Sequence, residues 1–323
     1  MKLASLQTRL LKKFFKYGSQ ASNSVIDIRA FDAIDFLSRG LAVGNKPFSI
    51  LDLGCSGGPT NAWVRNWKNY LWVGIDADIR AIKKLESLLP MGSEIMHAYV
   101  YSNKFCSHAV PTDAPQLEID ALLSRNAYDF VKIDIDGCDL HILEGILNSK
   151  VQQKILGIEI EVTYSTFRDS NVNFADCASL LIDKDFELVA IESARRYSNG
   201  EIFSPYVWDI PAQTGMGKVF QGNQLWVKRQ TPTDERSQVV GSLILAAFGL
   251  SDWAWGLMQK LVDDHGGKYL SAPKDELQSY FIPKFIGTEG VDISEGVADS
   301  EWFKKWRTQS QNREIEQPWF LSN

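Results

Sequence analysis

The sequence predicts an α/β chain built as a doubly wound, mainly parallel sheet, and three observations predict it. Short apolar runs alternate with amphipathic runs from residue 48 to residue 192, the pattern of strands joined by crossover helices. Two of the apolar runs stop at a carboxylate and a glycine and then turn helical. They are Ile50-Leu51-Asp52-Leu53-Gly54-Cys55-Ser56-Gly57-Gly58 and Lys132-Ile133-Asp134-Ile135-Asp136-Gly137-Cys138-Asp139-Leu140-His141-Ile142-Leu143-Glu144, the latter followed by Gly145. A third run, Trp72-Val73-Gly74-Ile75, ends at Asp76, 22 residues after Gly54. Polar groups at the carboxyl ends of strands are where open α/β sheets bind ligands.

In order, the chain opens with Leu3, Leu6, Leu10, Phe14 and Tyr17 at helical spacing, interleaved with Lys2, Arg9, Lys12, Lys13 and Lys16. This is a basic amphipathic helix and not a signal peptide. Packing on the domain is its first reading; peripheral membrane contact through residues 1–17 is the second. Ser24–Gly40 is a second amphipathic helix. Strands are expected at Phe48–Leu53, Leu71–Ile75, Glu94–Val100, Phe130–Ile135, Ile155–Val162, Phe186–Glu192 and Asn223–Lys228, seven in all. Helices are expected after Thr60 and at Ile79–Leu89, Ile119–Ser124, Asp139–Leu147 and Phe174–Asp183.

After Gln230-Thr231-Pro232 the pattern becomes helical, at Gln238–Leu250, Asp252–Asp264 and Ser300–Thr308, with a further helix start at Pro273. Trp253, Trp255, Trp302, Trp306 and Trp319 make this tail too apolar for a disordered appendage; it packs on the sheet or on another subunit, so a homo-oligomer stays open. The expected divisions are 1–24 for the N-terminal helix, 25–230 for the sheet domain and 231–323 for a helical C-terminal extension.

A chain of 323 residues with 45% hydrophobic and 23% charged residues is ordinary for a globular protein. A net charge of −6 gives no reason to expect nucleic-acid binding. No apolar run is long enough to span a membrane; Val239–Leu250 is too short and carries Gly241 and Ser242. Cys55, Cys106, Cys138 and Cys177 are widely spaced, which favours reduced thiols in a cytoplasmic protein.

The first two strand ends describe a nucleoside site. Glycine lets backbone approach a ligand closely. An acid at the offset of Asp76 can accept hydrogen bonds from both ribose hydroxyls. Gly-x-Gly-x-x-Gly is absent, which weakens a dinucleotide reading and a nicotinamide oxidoreductase with it. Asp52 suits a cationic, phosphate-free ligand such as the amino-acid end of a sulfonium cofactor. A tight turn with surface carboxylates is the plain alternative.

With these residues in view, the chain resembles class I S-adenosylmethionine-dependent methyltransferases of the FkbM type. Residues Val131–Gly145 resemble the family pattern Lys-Ile-Asp-Val-Glu-Gly-Ala-Glu-Leu-x-x-Leu-x-Gly, with Asp136 and Asp139 where the family usually has glutamates. Cys55-Ser56-Gly57-Gly58-Pro59 departs from the family's usual turn, and the C-terminal tail lies outside the resemblance. The resemblance, over about residues 25–230, implies a Rossmann-like sheet and methyl transfer to a hydroxyl of a small metabolite, a sugar, polyketide or similar. It implies that Asp52, Gly54, Ser56 and Gly58 approach the methionine end of the cofactor, that Asp76 takes the ribose, and that Ala98 and Tyr99 flank the adenine. A catalytically inactive cofactor-binding or scaffold protein on the same fold is the alternative.

On the acceptor side, period-two alternation puts Lys132, Asp134 and Asp136 on one face of their strand and Glu159 and Glu161 on one face of the next. Three readings of these acids stand. Asp134 or Asp136 is a general base. The group Asp134, Asp136, Glu159 and Glu161 holds Mg²⁺. Or Lys132 and backbone amides satisfy the acids. His141, in the following helix, is a further candidate base. Arg195 to Gly222, rich in aromatics, reads as a lid over the acceptor or as packing for the C-terminal helices.

Overall fold

The computed structural model describes residues 31–43, 46–59, 69–86, 93–102, 113–135, 138–164, 173–197, 218–230, 232–265, 277, 280 and 281. They fall in one compact unit, Phe31–Phe281. The expected N-terminal helix, the helix after Thr60, Asp136, residues 198–217 and the tail helix at Ser300–Thr308 lie outside the described residues.

The strands are β1 (Phe48–Leu53), β2 (Tyr70–Asp76), β3 (Glu94–His97), β4 (Tyr99–Tyr101), β5 (Gln116–Glu118), β6 (Phe130–Ile133), β7 (Gly157–Thr163), β8 (Phe186–Tyr197) and β9 (Lys218–Lys228). The helices are α1 (Phe31–Val43), α2 (Ile79–Glu86), α3 (Ile119–Leu123), α4 (Asp139–Asn148), α5 (Phe174–Asp183), α6 (Glu235–Ala247) and α7 (Ser251–His265). Seven strands form one sheet in the order β3-β2-β1-β6-β7-β9-β8. Pairing is parallel from β3 to β7, and β9 runs antiparallel to both β7 and β8. The winding therefore reverses between β1 and β6, the switch point at which such sheets open a crevice.

Both faces of the sheet are covered, as the continuous apolar runs require. One face packs Leu53, Val131, Ile133 and Ile158 against Ile142, Leu143 and Leu181 of α4 and α5. On the other, the rings of Phe48, Phe130 and Phe248 lie in a chain with centroids 6.5 and 6.0 Å apart. Beneath them sit the buried Val240, Leu243 and Ile244 of α6. Helix α6 starts three residues before the expected Gln238 because Asp234 caps it, accepting from the Ser237 amide at 2.9 Å. It ends where Gly249 (φ +82°) turns the chain left-handed.

Two expectations are corrected. The third strand was expected to run from Glu94 to Val100 but breaks at Ala98, whose amide returns to the Asp76 carbonyl at 3.0 Å. Beyond it, β4 leaves the main sheet and pairs in parallel with β5. Period-two patterning continues through the break, so it gives no sign of the change of partner. The segment Arg195–Gly222, expected as a lid or as packing for the C-terminal helices, is strand at its two ends: Arg195 pairs with Gln221, Arg196 with Val219 and Tyr197 with Lys218. Register shifts after Leu188 and Glu192 erase the alternation that would have marked these residues as β.

Candidate active site

The carboxyl ends of β1, β2 and β6 meet in a cleft of about 790 Å³, within the range of small-molecule sites. Gly54, Ser56, Asp76, Ala98, Tyr99 and Asp134 line it. Six of the residues singled out in the sequence, from four separate stretches of chain, are thus brought together. Asp52, Gly58, Glu159, Glu161 and His141 are not among the lining residues.

Gly54 explains how the first turn meets β6. It sits at φ +81°, and a Cβ there would fall 1.6 Å from the Asp134 carbonyl oxygen. Only glycine allows that approach. The amides of Gly54 and Cys55 bond to the Ile75 carbonyl at 2.9 and 3.2 Å, and the Asp134 amide bonds to the Leu53 carbonyl at 2.9 Å. The turn is held from both sides by backbone alone.

Asp76 ends β2 with its Oδ1 accepting from the Asp78 amide at 2.7 Å, a bond that fixes the carboxylate toward the cleft wall. Asp78 in turn grips Arg80 through Nε and Nη2 at 3.0 and 2.9 Å, and this contact holds the Asp78 carboxyl below its usual range. His97 Nε2 meets the Ala77 carbonyl at 3.0 Å. Asp78, Ile79, Arg80, Asp113, Ile135 and Cys138 also line the cleft; Ile135 and Cys138 belong to the fourth-strand motif, whereas Asp78, Ile79, Arg80 and Asp113 carry no motif that would mark them in the sequence.

Cys138 is disulfide-bonded, against the expectation of reduced thiols, while Cys55 and Cys177 are free and buried. Its sulfur accepts from the Tyr99 hydroxyl at 3.0 Å, which ties β4 to the start of α4. Asp139, 3% exposed, accepts from the Ile135 amide at 2.9 Å. The acid of the fourth-strand motif thus braces the loop between β6 and α4. His141 contacts Glu144 on its own helix, with Nδ1 to Oε2 at 3.5 Å.

The acids of β1, β6 and β7 converge on an ammonium. Lys132 Nζ lies 3.1 Å from Asp134 Oδ2 and 3.4 Å from Asp52 Oδ1, and Glu159 is its register partner on β7. Asp52 also accepts from Trp72 Nε1 at 3.3 Å, and Glu159 from Asn223 Nδ2 at 3.1 Å. Burial alone would lower the Lys132 pKa, but Asp52, Asp134 and Glu159 outweigh it and hold the pKa above the usual lysine range. The expected Mg²⁺ site at Asp134, Asp136, Glu159 and Glu161 finds no support: among the described residues no group of three or more His, Cys, Asp or Glu is placed to hold a metal. The lysine itself supplies the positive charge the acids need.

A seven-stranded sheet with one reversed strand and a cleft at its switch point is a Rossmann-like arrangement. Residues 83–188 match the family model described as the methyltransferase FkbM domain. No curated protein sequence matches the chain significantly.

Among solved structures, WbdD, described as a bifunctional kinase-methyltransferase, aligns at 16% identity over 62% of this chain and 38% of its own, with a TM-score of 0.34. The chain thus spans about two fifths of WbdD's length. A TehB-like SAM-dependent methyltransferase from Corynebacterium glutamicum aligns at 13% identity, covering 70% of this chain and 99% of its own (TM-score 0.30). The Burkholderia thailandensis 1,6-didemethyltoxoflavin-N1-methyltransferase aligns at 12%, covering 71% and 89% (TM-score 0.33). Among the described residues, no helix is long and apolar enough to cross a membrane.

Proposed function

We propose that this chain binds S-adenosylmethionine in the β1–β2–β6 cleft and transfers its methyl group to a hydroxyl of a small metabolite. The observation that carries the cofactor is the lining of the cleft. Asp76, Asp78, Asp113 and Asp134 face it, and among the described residues Arg80 is the one basic lining residue, itself paired to Asp78. That charge suits a sulfonium with an amino-acid end and opposes a pyrophosphate. The oxygen acceptor and its small size rest on the FkbM resemblance over residues 83–188.

The cofactor, when bound, supplies an electrophilic methyl group for in-line displacement. The chain's own residues bind and orient. Asp76, already fixed by the Asp78 amide, accepts hydrogen bonds from the ribose hydroxyls. Ala98 and Tyr99 form the adenine wall, and Gly54 and Ser56 border the methionine end. Asp134 stands at the strand end where the acceptor must approach, and with Asp136 it is the proposed proton acceptor. Alignment of acceptor and methyl group accounts for much of the rate in such a displacement.

Calorimetry tests this reading directly. S-adenosylmethionine and its demethylated product bind, with or without EDTA, and NAD does not. Asp76→Ala weakens cofactor affinity by ~1–3 kcal/mol through lost charge-assisted bonds. Tight NAD binding without sulfonium binding would sink the proposal, and unchanged affinity in Asp76→Ala would misplace the ribose.

A further inference from the structure

Among the described residues Lys132 is the one cation at the centre of the acid cluster, and methyl transfer as proposed makes no use of it. Its side chain is 8% exposed. An ammonium carries three hydrogens, and three oxygens lie within reach of this one: Asp134 Oδ2 at 3.1 Å, the Gly54 carbonyl at 3.4 Å and Asp52 Oδ1 at 3.4 Å. Two of these belong to the cleft lining. Gly54 is the turn after β1 and Asp134 the end of β6, and their backbones already touch at a distance no other residue would permit. Lys132 is anchored from below as well, by register with Asp52 on β1 and Glu159 on β7.

We propose that Lys132 is a positioning residue for the cofactor site: its ammonium clamps the Gly54 turn to the Asp134 carboxylate and so sets the floor at the methionine end of the cleft. The inference rests on the S-adenosylmethionine reading and deepens it. Charge compensation alone would need only a positive group near Asp52 and Glu159, both buried. The clamp needs a compact, point-like donor that reaches a main-chain carbonyl and a carboxylate at once. A guanidinium keeps the charge, but its planar fork imposes another geometry.

Two variants separate the roles. Lys132→Arg preserves the charge and alters the geometry. The pair Asp52→Asn with Lys132→Met removes an acid together with the base, so no lone cation-less partner of that ion pair is left buried; Asp52→Asn alone is its reference. Each is measured by thermal melting and by calorimetric titration with S-adenosylmethionine. The clamp predicts folded variants, melting near their references, that bind the cofactor about tenfold or more weakly. A folded variant of either kind that binds as tightly as its reference overturns the proposal, since compensation was then sufficient. Failure of both to fold also overturns it, by assigning Lys132 to stability. Absence of binding by the unaltered chain is a different failure: it removes the cofactor reading, and this inference with it.

Discussion

Asp139 shows how a motif residue can support a site that it does not line. It is buried in the first turn of α4 and holds the Ile135 amide at 2.9 Å. Asp139→Ala leaves that amide without its acceptor and removes a charge that complements the helix N-terminus. The expected loss is about 1–3 kcal/mol of stability, read by denaturant unfolding; a change within experimental error would mean the loop finds another acceptor. Buried thiols set a second expectation. Burial pushes Cys177 up to about 12, and Cys55 upward too. An unfolded cysteine ionises near ~8.5, so between there and about 12 the unfolded state loses protons first and stability falls as pH rises. Lys132, whose pKa is raised in the fold, adds loss of the same sign above ~10.4. Melting temperature should therefore be flat near neutrality and decline above pH ~8.5. A flat profile to pH ~11 would contradict the burial of these groups.

Among elements, the tie between α6 and the sheet is the most informative. Arg236 binds Asp129 through both nitrogens, at 2.6 and 2.7 Å, and reaches the Pro47 carbonyl at 3.2 Å. Asp129 also accepts from the Ser49 amide at 2.9 Å. One pair therefore joins the start of β1, the start of β6 and a helix more than a hundred residues later. Arg236→Ala strands a buried carboxylate, and with the arginine a quarter exposed the cost is about 2–4 kcal/mol. Cofactor affinity should not change, because the pair lies at the amino ends of the strands, opposite the cleft. A matching loss of affinity would show that the two ends of the sheet are coupled.

The whole molecule raises the question of where the sheet domain ends. The sequence places a boundary at 230/231, whereas α6 and α7 belong to the same compact unit as the sheet. Val239, Val240, Leu243 and Ile244 are fully buried, and Phe248 stacks at an angle on Phe130 of β6. A chain ended at residue 230 would expose that face. It should lose its cooperative melting transition, since each large apolar side chain returned to water costs about 1.5–3 kcal/mol. Cooperative melting of the shortened chain would place the boundary where the sequence drew it.

The sequence by itself determined the doubly wound fold, the positions of most strands and several residues that line the cleft. These depend on local signals: apolar runs of strand length, a glycine where backbone must touch backbone, an acid at a strand end. Gly54, Asp76 and Asp134 were legible for that reason. Tertiary structure alone decided what the acids do. Asp52, Asp134 and Glu159 come from three strands, and only the register of β1, β6 and β7 puts them around one ammonium. It also decided that β4 leaves the main sheet for β5, and that Asp129 waits for an arginine far along the chain. Such outcomes depend on which strands become neighbours, and alternation along one strand carries no record of the residue placed beside it.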